Sequence, residues 1–502
     1  MAIDYIRLDT APLYQQDAGS EKILNLLWGD RVETLPGGAA RTKVKARGKT
    51  GFVNNDALGG QSLLEVYFID VGQGDGVLIR MPDHRHIMID GGYNRAKQPT
   101  RKNAADFVDW KFHKDYGLDR ISLDAMLVSH CDADHYGGLW DLCNVAEISE
   151  LDAADVRVEH FYHAGIGWWV NPANNQRWLG EKTADGEFFT QLMGDRAQVL
   201  AALQPGAQPR LQGEWAQFVQ SMTDTKRGDD TPTPIKRLSH MDQFVPGFDG
   251  AGGQPALKIL APVEFDENGA PAIRRFGATD SWNTNGNSLL LRLDYGRARI
   301  LLTGDLNSKS QRALLTDYAG ERQEFECDVA KACHHGSDDV SYEFLAAMRP
   351  AVTIISSGDN EGHDHPRPAV VAASATTGYL IIENDEIVTP LVYATEMARS
   401  VSFGRPVKLT IPFPADPPTN PPTTSPKEVA GELLDKTSVE YEETKAGDLH
   451  PRKRTRSMKD RLIVAGLVYG LVNVRTDGDR ILCATMNEKD YSWNIRAFQS
   501  RF

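Results

Sequence analysis

The chain has 502 residues, of which 41% are hydrophobic and 25% are charged. This length predicts two or three domains, and this composition is that of an ordinary soluble globular protein. The net charge of −14 excludes a general electrostatic attraction to nucleic acid, so a polyanionic substrate would need local basic patches or bound metal. The five cysteines form no CxxC pair, which argues against a disulfide framework and against a thiolate zinc site.

The N-terminus has no basic region followed by an apolar stretch, so we expect no signal peptide. The longest apolar run, at 462–474, is interrupted by Gly and Asn and is too short to span a bilayer. We therefore expect a cytoplasmic protein with no membrane partner.

Residues 1–60 are predicted to form a small β domain of their own. Apolar alternation at 43–47, followed by Gly-Lys-Thr-Gly-Phe-Val at 48–53, indicates two short strands joined by a Gly turn. This second half resembles a bacterial SH3-like domain, and such a domain usually binds a peptide or protein partner or packs on its own catalytic domain. The alternative is an N-terminal β extension of the main domain.

Residues 61–411 are assigned to the main domain. Apolar segments at 64–70, 77–80, 87–90 and 124–129 indicate strands, and helices are predicted around 104–114 and from Gly137 onward. Because strands and helices interleave, the sequence predicts an α/β layered fold. The polar, Trp-bearing stretch at about 165–254 is interpreted as an insertion that covers or shapes the site.

The remaining residues are divided into a Pro-rich and charged linker at 412–460 and a β-hairpin extension at 461–502. The hairpin is predicted to turn at 476–479. The basic run at 452–456 either touches phosphates or, as is more usual in a linker, is solvated.

The strongest chemical signal is the cluster of His130, Asp132, Asp134 and His135 directly after the strand at 124–129. Four ligand-capable side chains in six residues cannot all be buried without partners, because buried charge is costly. Metal binding offsets that cost by replacing hydration with imidazole and carboxylate bonds. On a loop, His130 and Asp132 would serve one ion while Asp134 and His135 serve a neighbour; a solvated polar loop is the alternative.

Two later segments supply further ligands. The apolar strand at 299–305 ends in Gly-Asp, so Asp305 is presented at a strand end, where its carboxylate would bridge two ions. The strand that begins at Lys331 ends in the paired histidines His334 and His335. Each signal alone is weak, since Gly-Asp turns and surface histidines are common, but together they fit a two-metal site.

These motifs resemble the metallo-β-lactamase superfamily, and within it the branch that contains the soluble domain of ComEC-type DNA-uptake proteins. The resemblance runs from about Glu65 to Val370, and its motifs lie at 68–75, 88–92, 129–138, 287–293, 302–305, 334–337 and 362–366. Asp132 stands where most of the superfamily has His, as it does in the ComEC branch. The implied fold is an αββα sandwich with the metals at one sheet edge.

The resemblance also implies residue roles. The implied metal ligands are His130, Asp132, Asp134, His135, His163, Asp305 and His335, with His335 favoured over His334 and His163 over His160. The implied catalytic residues are Asp134 and His334, and His334 would lie within reach of a substrate oxygen. The residues implied to support ligands or contact substrate are Asp75, Asp90, Ser337, His363 and His365, with turn capping as the alternative for the first two.

The expected cofactors are two divalent ions, Zn²⁺ or Mn²⁺, and the carboxylate-rich ligand set favours Mn²⁺ or Mg²⁺ more than a His-rich zinc site would. Cys131 is predicted to be a packed thiol. The pair Trp168 and Trp169 would either stack a base or pack inside the insertion.

The primary hypothesis is phosphodiester hydrolysis by a hydroxide that bridges the two ions, with a nucleic acid or nucleotide as the substrate. The same hydroxide would also hydrolyse a carboxylic ester, lactone or β-lactam. A third alternative is a non-catalytic binding protein whose SH3-like domain recruits a partner, although intact ligands at every expected position argue against it. ComEC-type proteins usually carry this domain beside membrane spans, and none is found here, so DNA uptake is not implied.

Overall fold

A computed structural model describes residues 2–98, 102–358 and 365–395, and then 402–404, 408–411, 427–430, 432–443, 452–459, 463–465, 471–487 and 492–502. The chain divides into two compact units. The first comprises 1–361, 365–398 and 469–502, and the second comprises 362–364 and 399–468. No helix among the described residues is both long and apolar enough to cross a bilayer.

The N-terminal region is a six-stranded antiparallel sheet with its own small core. Its strands are β1 (Ala2–Tyr5), β2 (Thr10–Tyr14), β3 (Lys22–Leu27), β4 (Arg31–Thr34), β5 (Thr42–Ala46) and β6 (Lys49–Val53), in the order β1-β4-β5-β6-β2-β3. Leu13, Leu26 and Val44 are fully buried between them. The predicted pair of strands around Gly48 is confirmed as β5 and β6, while the likeness to an SH3 domain stays a prediction.

The main part of the first unit begins with strands β7 (Leu64–Phe68), β8 (Val77–Arg80), β9 (His86–Ile89), β10 (Arg120–Leu123), β11 (Ala125–Val128), β12 (Asp155–Val158) and β13 (Phe161–His163), and with helices α1 (Ala104–Asp109) and α2 (Ala133–Cys143). The predicted insertion follows as β14 (Trp169–Val170), β15 (Arg177–Trp178), β16 (Phe188–Phe189), α3 (Arg196–Leu203), α4 (Gly213–Asp224), β17 (Ile235–Arg237) and β18 (Phe244–Asp249).

The elements that follow the insertion are β19 (Ala256–Ala261), β20 (Glu264–Glu267), β21 (Ala270–Arg274), α5 (Asp280–Gly286), β22 (Leu290–Tyr295), β23 (Ala298–Leu302), α6 (Ser308–Asp317), β24 (Val329–Lys331), α7 (Tyr342–Met348), β25 (Val352–Ile355), α8 (Pro368–Thr377), β26 (Ile381–Glu383), β27 (Glu386–Thr389) and β28 (Leu391–Ala394).

The second unit contains β29 (Ser402–Gly404), β30 (Lys408–Ile411), β31 (Lys427–Ala430), α9 (Glu432–Asp435), β32 (Ser438–Glu443), β33 (Arg452–Ser457) and β34 (Ile463–Ala465). The basic run at 452–456 therefore lies in a strand, β33, which pairs antiparallel with the acidic β32. The Pro-rich part of the predicted linker, at 412–426, lies outside the described residues.

The chain then returns to the first unit with β35 (Val472–Thr476), β36 (Arg480–Asn487) and β37 (Ser492–Gln499). The start of the predicted hairpin's first strand was wrong, because Ile463–Ala465 pairs with β29 in the second unit. The predicted turn lies between β35 and β36, which pair antiparallel around 477–479. These strands are not an appended extension, however, because β35 pairs directly with β7 and extends the main sheet. The reason is that Val472 and Val474 point into the core between the two large sheets.

Two large sheets pack face to face. The first has the order β17-β13-β11-β9-β8-β7-β35-β36-β37 and the second β18-β19-β22-β23-β24-β25-β28. Apolar residues of both sheets share one buried core. Helices α1, α2 and α4 cover the outer face of the first sheet, and α6 and α7 cover that of the second. The expected αββα sandwich is confirmed.

The insertion is packed structure. Trp168, Trp169 and Trp215 are all buried in the core on the outer side of the first sheet, with exposed fractions of 6%, 3% and 1%. The two adjacent tryptophans therefore pack inside the protein and present no ring face to a base.

Candidate metal centre

The candidate centre lies where strands of both sheets end. His130 follows β11, Asp305 follows β23, and His334 and His335 follow β24. Asp90 directly follows β9, the parallel neighbour of β11. Carboxyl ends of neighbouring parallel strands meet at one sheet edge, so the fold brings these segments together.

The metal loop turns into a helix earlier than predicted. Helix α2 begins at Ala133 with Asp132 at its N-cap, whereas the sequence suggested a start at Gly137. Gly137 and Gly138 instead lie within the helix and let it approach the loop after β9. A Cβ on Gly138 would lie 2.0 Å from the carbonyl oxygen of Gly91, which is impossible without displacing the backbone.

The predicted ligands converge on one carboxylate oxygen. Asp305 Oδ2 lies 3.2 Å from His135 Nε2 and 3.0 Å from His335 Nε2. His335 Nε2 also lies 3.8 Å from Asp134 Oδ2. Among the described residues, the groups able to hold an ion include His130–His135–Asp305 and Asp134–His135–His335. His135 and Asp305 thus lie at the middle of the cluster.

A set of outer hydrogen bonds directs the imidazoles inward. Asp90 Oδ2 binds His135 Nδ1 at 2.9 Å, and Asp90 Oδ1 accepts a hydrogen bond from the Ser129 amide at 2.7 Å. His130 Nδ1 lies 3.0 Å from Ser129 Oγ and 3.3 Å from Ser288 Oγ. Because the Nδ1 atoms are occupied, each ring presents Nε2 to the centre, which is the usual arrangement around a bound metal.

His335 is held in the same way by a buried ion pair. Its Nδ1 lies 3.1 Å from Asp75 Oδ1 and 3.2 Å from the Ser356 carbonyl oxygen. The other oxygen of Asp75 pairs with the ammonium of Lys331, which also donates to the Gly304 carbonyl oxygen at 2.8 Å. Asp75 therefore orients a ligand, and Lys331 neutralises its charge in the core.

The pKa shifts at the centre show that its buried carboxylates are stabilised by positive charge on the neighbouring imidazoles. Burial alone would lower the pKa of His335, but Asp305 and Asp75 raise it to about 10. Asp305 and Asp90 likewise overcome burial and raise the pKa of His135 well above its usual value. Burial opposes ionisation of Asp305, yet His335 and His135 hold its pKa well below the usual range.

The residues fit divalent metal ions. His135 Nε2, His335 Nε2 and Asp305 Oδ1 are buried atoms without a hydrogen-bond partner of proper geometry among the described residues. Buried polar atoms in that condition are costly, and imidazole nitrogens with carboxylate oxygens are ligands that Zn²⁺ and Mn²⁺ accept. A bound cation would satisfy all three atoms at once.

Sequence reasoning missed Asn285 and Thr284. Thr284 Oγ1 donates to Asp132 Oδ2 at 2.8 Å. In the orientation that satisfies its neighbours, the Asn285 amide nitrogen donates to Asp132 Oδ2 at 3.1 Å and its oxygen accepts from His334 Nε2 at 3.3 Å. Both residues lie in α5, and the run of polar residues in this short helix was a usable signal.

His334 differs from the other histidines of the centre. It is 27% exposed, and its Nε2 lies 3.9 Å from Asp305 Oδ2. Both His334 and His335 have positive φ angles, of 47° and 52°. Each such conformation costs about 1–3 kcal/mol and is typical of functional sites. Burial lowers the pKa of His334, so its ring is neutral near pH 7.

A third missed residue contacts Asp134. Gln73 Nε2 donates to Asp134 Oδ2 at 3.2 Å, from the glycine-rich turn before β8. A Cβ on Gly74 would lie 1.9 Å from the Asp134 carbonyl oxygen, so this glycine is needed for the close approach.

The structure does not bring His163 to the centre. Its Nε2 lies 3.0 Å from the Gly194 carbonyl oxygen, and its Nδ1 accepts from the Gly165 amide at 3.1 Å. Burial lowers its pKa to about 3, as expected for a neutral core histidine. The alternative His160 stacks on Tyr162. Neither belongs to the ligand groups found among the described residues.

Ser337 and His365 follow the ligand segments in the described part of the chain. Ser337 is buried, and its Oγ accepts from the Asp339 amide. The His365 ring lies 5.8 Å from that of His334, whereas His363 lies outside the described residues. Cys131 is fully buried, and burial raises the pKa of its thiol, in agreement with a packed role.

Comparison with known proteins agrees with this geometry. Residues 69–207, which include the metal loop, match the model of the metallo-beta-lactamase superfamily. The chain is 24% identical over 331 residues to ComE operon protein 3 of Bacillus subtilis (strain 168), an alignment that covers 64% of this chain and 32% of that protein.

A second relative is Competence protein ComA of Neisseria gonorrhoeae, which is 34% identical over 102 residues. That alignment covers 20% of this chain and 14% of the relative. The chain therefore spans no more than about a third of the length of either curated relative.

Proposed function

We propose that this chain, a ComEC-like protein of the metallo-β-lactamase fold, is a metal-dependent phosphodiesterase that acts on a nucleic acid or nucleotide. The observation that carries the proposal is the convergence of two imidazole Nε2 atoms on one oxygen of Asp305, with Asp134 beside them. A shared carboxylate of this kind suits two ions side by side, the arrangement that phosphoryl-transfer enzymes use.

His130, Asp132 and Asp305 would hold one ion, and Asp134, His135, His335 and Asp305 would hold the other. The contacts support this ligand assignment in part, since His135 lies in the same group as His130 and Asp305, and Asp132 lies outside the groups found among the described residues. When bound, divalent ions supply an activated water and neutralise charge on phosphoryl oxygens. The high share of carboxylates favours hard cations such as Mn²⁺ over a purely zinc-type site.

The chain's own residues would position the substrate and its leaving group. His334 is the half-buried histidine of the cluster, and its neutral ring carries a proton on Nε2 where Asn285 accepts it. A leaving oxygen that took the place of the Asn285 oxygen would accept the same Nε2 proton. Thr284 and Asn285 fix the carboxylate of Asp132, so its geometry is set before substrate arrives.

The decisive experiment combines metal analysis of the purified protein with a substrate panel. The panel contains bis-p-nitrophenyl phosphate, single-stranded DNA and nitrocefin, each with Mn²⁺ or Zn²⁺. We expect turnover of the phosphodiesters and its loss in Asp305→Ala. Activity on nitrocefin alone would replace the proposal by acyl hydrolysis, and no turnover of any substrate would favour a binding role. Full activity of Asp305→Ala without bound metal would refute the mechanism.

A further inference from the structure

Two cationic side chains near the metal loop lie over the indole rings of tryptophans. The Arg177 guanidinium lies 3.9 Å from the ring centroid of Trp168, and the Lys309 ammonium lies 3.7 Å from that of Trp282. Both side chains belong to exposed residues, Arg177 in the insertion and Lys309 in the first turn of α6. Indole faces attract cations without neutralising them.

Both tryptophans are joined by hydrogen bonds to segments that carry predicted metal ligands, Trp168 through its indole and Trp282 through its backbone. Trp168 Nε1 donates to the Cys131 carbonyl oxygen, within the metal loop, at 2.9 Å. The Trp282 carbonyl oxygen accepts from Asn307 Nδ2 at 2.8 Å, two residues after Asp305. Trp282 also lies two residues before Thr284, the partner of Asp132. Both cations are therefore held near the centre, Arg177 through Trp168 and Lys309 through Trp282.

Among the residues that the structure describes, no carboxylate forms an ion pair with either cation. Arg177 and Lys309 form no ion pair or side-chain hydrogen bond with another described residue. Some other cations of the insertion do form ion pairs, as in Arg227–Glu159, Lys236–Asp242 and Arg237–Glu264.

These contacts bring two positive charges near a cluster of carboxylates. Asp280, at the start of α5, forms an ion pair with neither cation among the described residues.

We propose that Arg177 and Lys309 form two anion subsites that bind the phosphates flanking the scissile bond of an oligonucleotide strand. This rests on the proposed phosphodiesterase function. A strand carries one negative charge per nucleotide, so it can occupy both subsites while a bond is held at the metals. A lactam or simple ester carries too few anionic groups to do so.

The test uses charge-neutral variants that keep a side chain over the indole. They are Arg177→Gln, Lys309→Gln and their double variant, and the matched control is Lys182→Gln, whose ammonium lies over Phe189 elsewhere in the insertion. KM and kcat are measured for a single-stranded oligonucleotide and for bis-p-nitrophenyl phosphate, which has no flanking phosphate.

We expect each single variant to raise KM for the oligonucleotide by about twofold to fivefold, with kcat unchanged. The slope of log affinity against log salt should become shallower by about 1 per removed cation. Kinetics on bis-p-nitrophenyl phosphate, and all values for Lys182→Gln, should match the wild type. An unchanged KM for the oligonucleotide, or an equal rise in KM for both substrates, would overturn the subsite proposal.

A binding measurement separates this inference from the proposed function. Fluorescence anisotropy of a labelled oligonucleotide is recorded with the full chain in the presence of a chelator. It measures binding of the oligonucleotide at the subsites without catalysis. Weaker binding by both variants, with Lys182→Gln unchanged, supports the subsites even when no phosphodiester is turned over. Equal binding by all variants refutes the subsites, even when the wild type proves to be a phosphodiesterase.

Discussion

The indole Nε1 of Trp168 donates a hydrogen bond of 2.9 Å to the carbonyl oxygen of Cys131. Cys131 lies between two predicted metal ligands, so this bond joins the insertion to the backbone of the metal loop. The neighbouring Trp169 is equally buried, but its Nε1 has no hydrogen-bond partner among the described residues. The two tryptophans therefore allow packing and hydrogen bonding to be separated.

Trp168→Phe should weaken the metal loop more than Trp169→Phe. Both changes remove similar volume, but only the first leaves a buried carbonyl oxygen unsatisfied, which costs about 1–2 kcal/mol. We expect that difference in the free energy of unfolding, measured by urea denaturation of the metal-loaded protein, together with weaker metal binding by calorimetry. Equal effects of the two variants would show that the hydrogen bond is unimportant.

His335→Ala should lose bound metal, whereas His334→Ala and His163→Ala should keep it. The reason is that His335 Nε2 lies 3.0 Å from Asp305, whereas the nitrogens of His163 are both bound to the backbone. Metal content by atomic emission checks this result. His334→Ala should instead lose activity with its metal in place, and loss of an ion from that variant would contradict the assignment.

Asp90→Asn should lower metal affinity by about tenfold to a hundredfold, because it weakens the hydrogen bond that fixes His135. A matched control is Asp141→Asn, a buried aspartate of α2 that binds the Arg95 amide and Asn103 away from the ligands. Isothermal calorimetry with Mn²⁺ gives both affinities. The same loss in both variants would point to general damage of the fold.

The free energy of unfolding should fall as the pH drops from about 4.5 to about 2. Burial alone would raise the pKa of Glu65, but Arg475, Arg80 and Lys111 lower it to about 2. A carboxyl whose pKa is lower when folded contributes its full stability above its unfolded pKa and loses it as it becomes protonated. This contribution is on the order of 3 kcal/mol.

Glu65→Gln should therefore destabilise the protein at neutral pH and flatten the pH dependence in that window. Removing one partner of a buried ion network costs about 3–5 kcal/mol. The control is Asp9→Asn, since the Asp9–Arg480 pair is exposed and is expected to contribute less than about 1 kcal/mol. Parallel pH curves for wild type and Glu65→Gln would contradict the prediction.

The residues themselves predicted a layered α/β fold and the centre because strand ends are local features, whereas the αββα sandwich was implied by the family resemblance. An apolar strand followed by His130 or Asp305 can be recognised without knowing the rest of the fold. His163 was misplaced for the opposite reason, since the partner of its Nε2 is a carbonyl oxygen of the insertion. Asn285 was missed because its role depends on two side chains that lie far away along the chain.

The pairing of β35 with β7 has a consequence for how the chain folds as it is synthesised. Arg475 contacts the carbonyl oxygen of Trp28 across 447 positions of sequence. Until β35 emerges from the ribosome, β7 remains an open, apolar edge, and such edges promote association between nascent chains. Contacts this distant also slow folding. The nascent protein is therefore expected to depend on chaperones until β35 has been made.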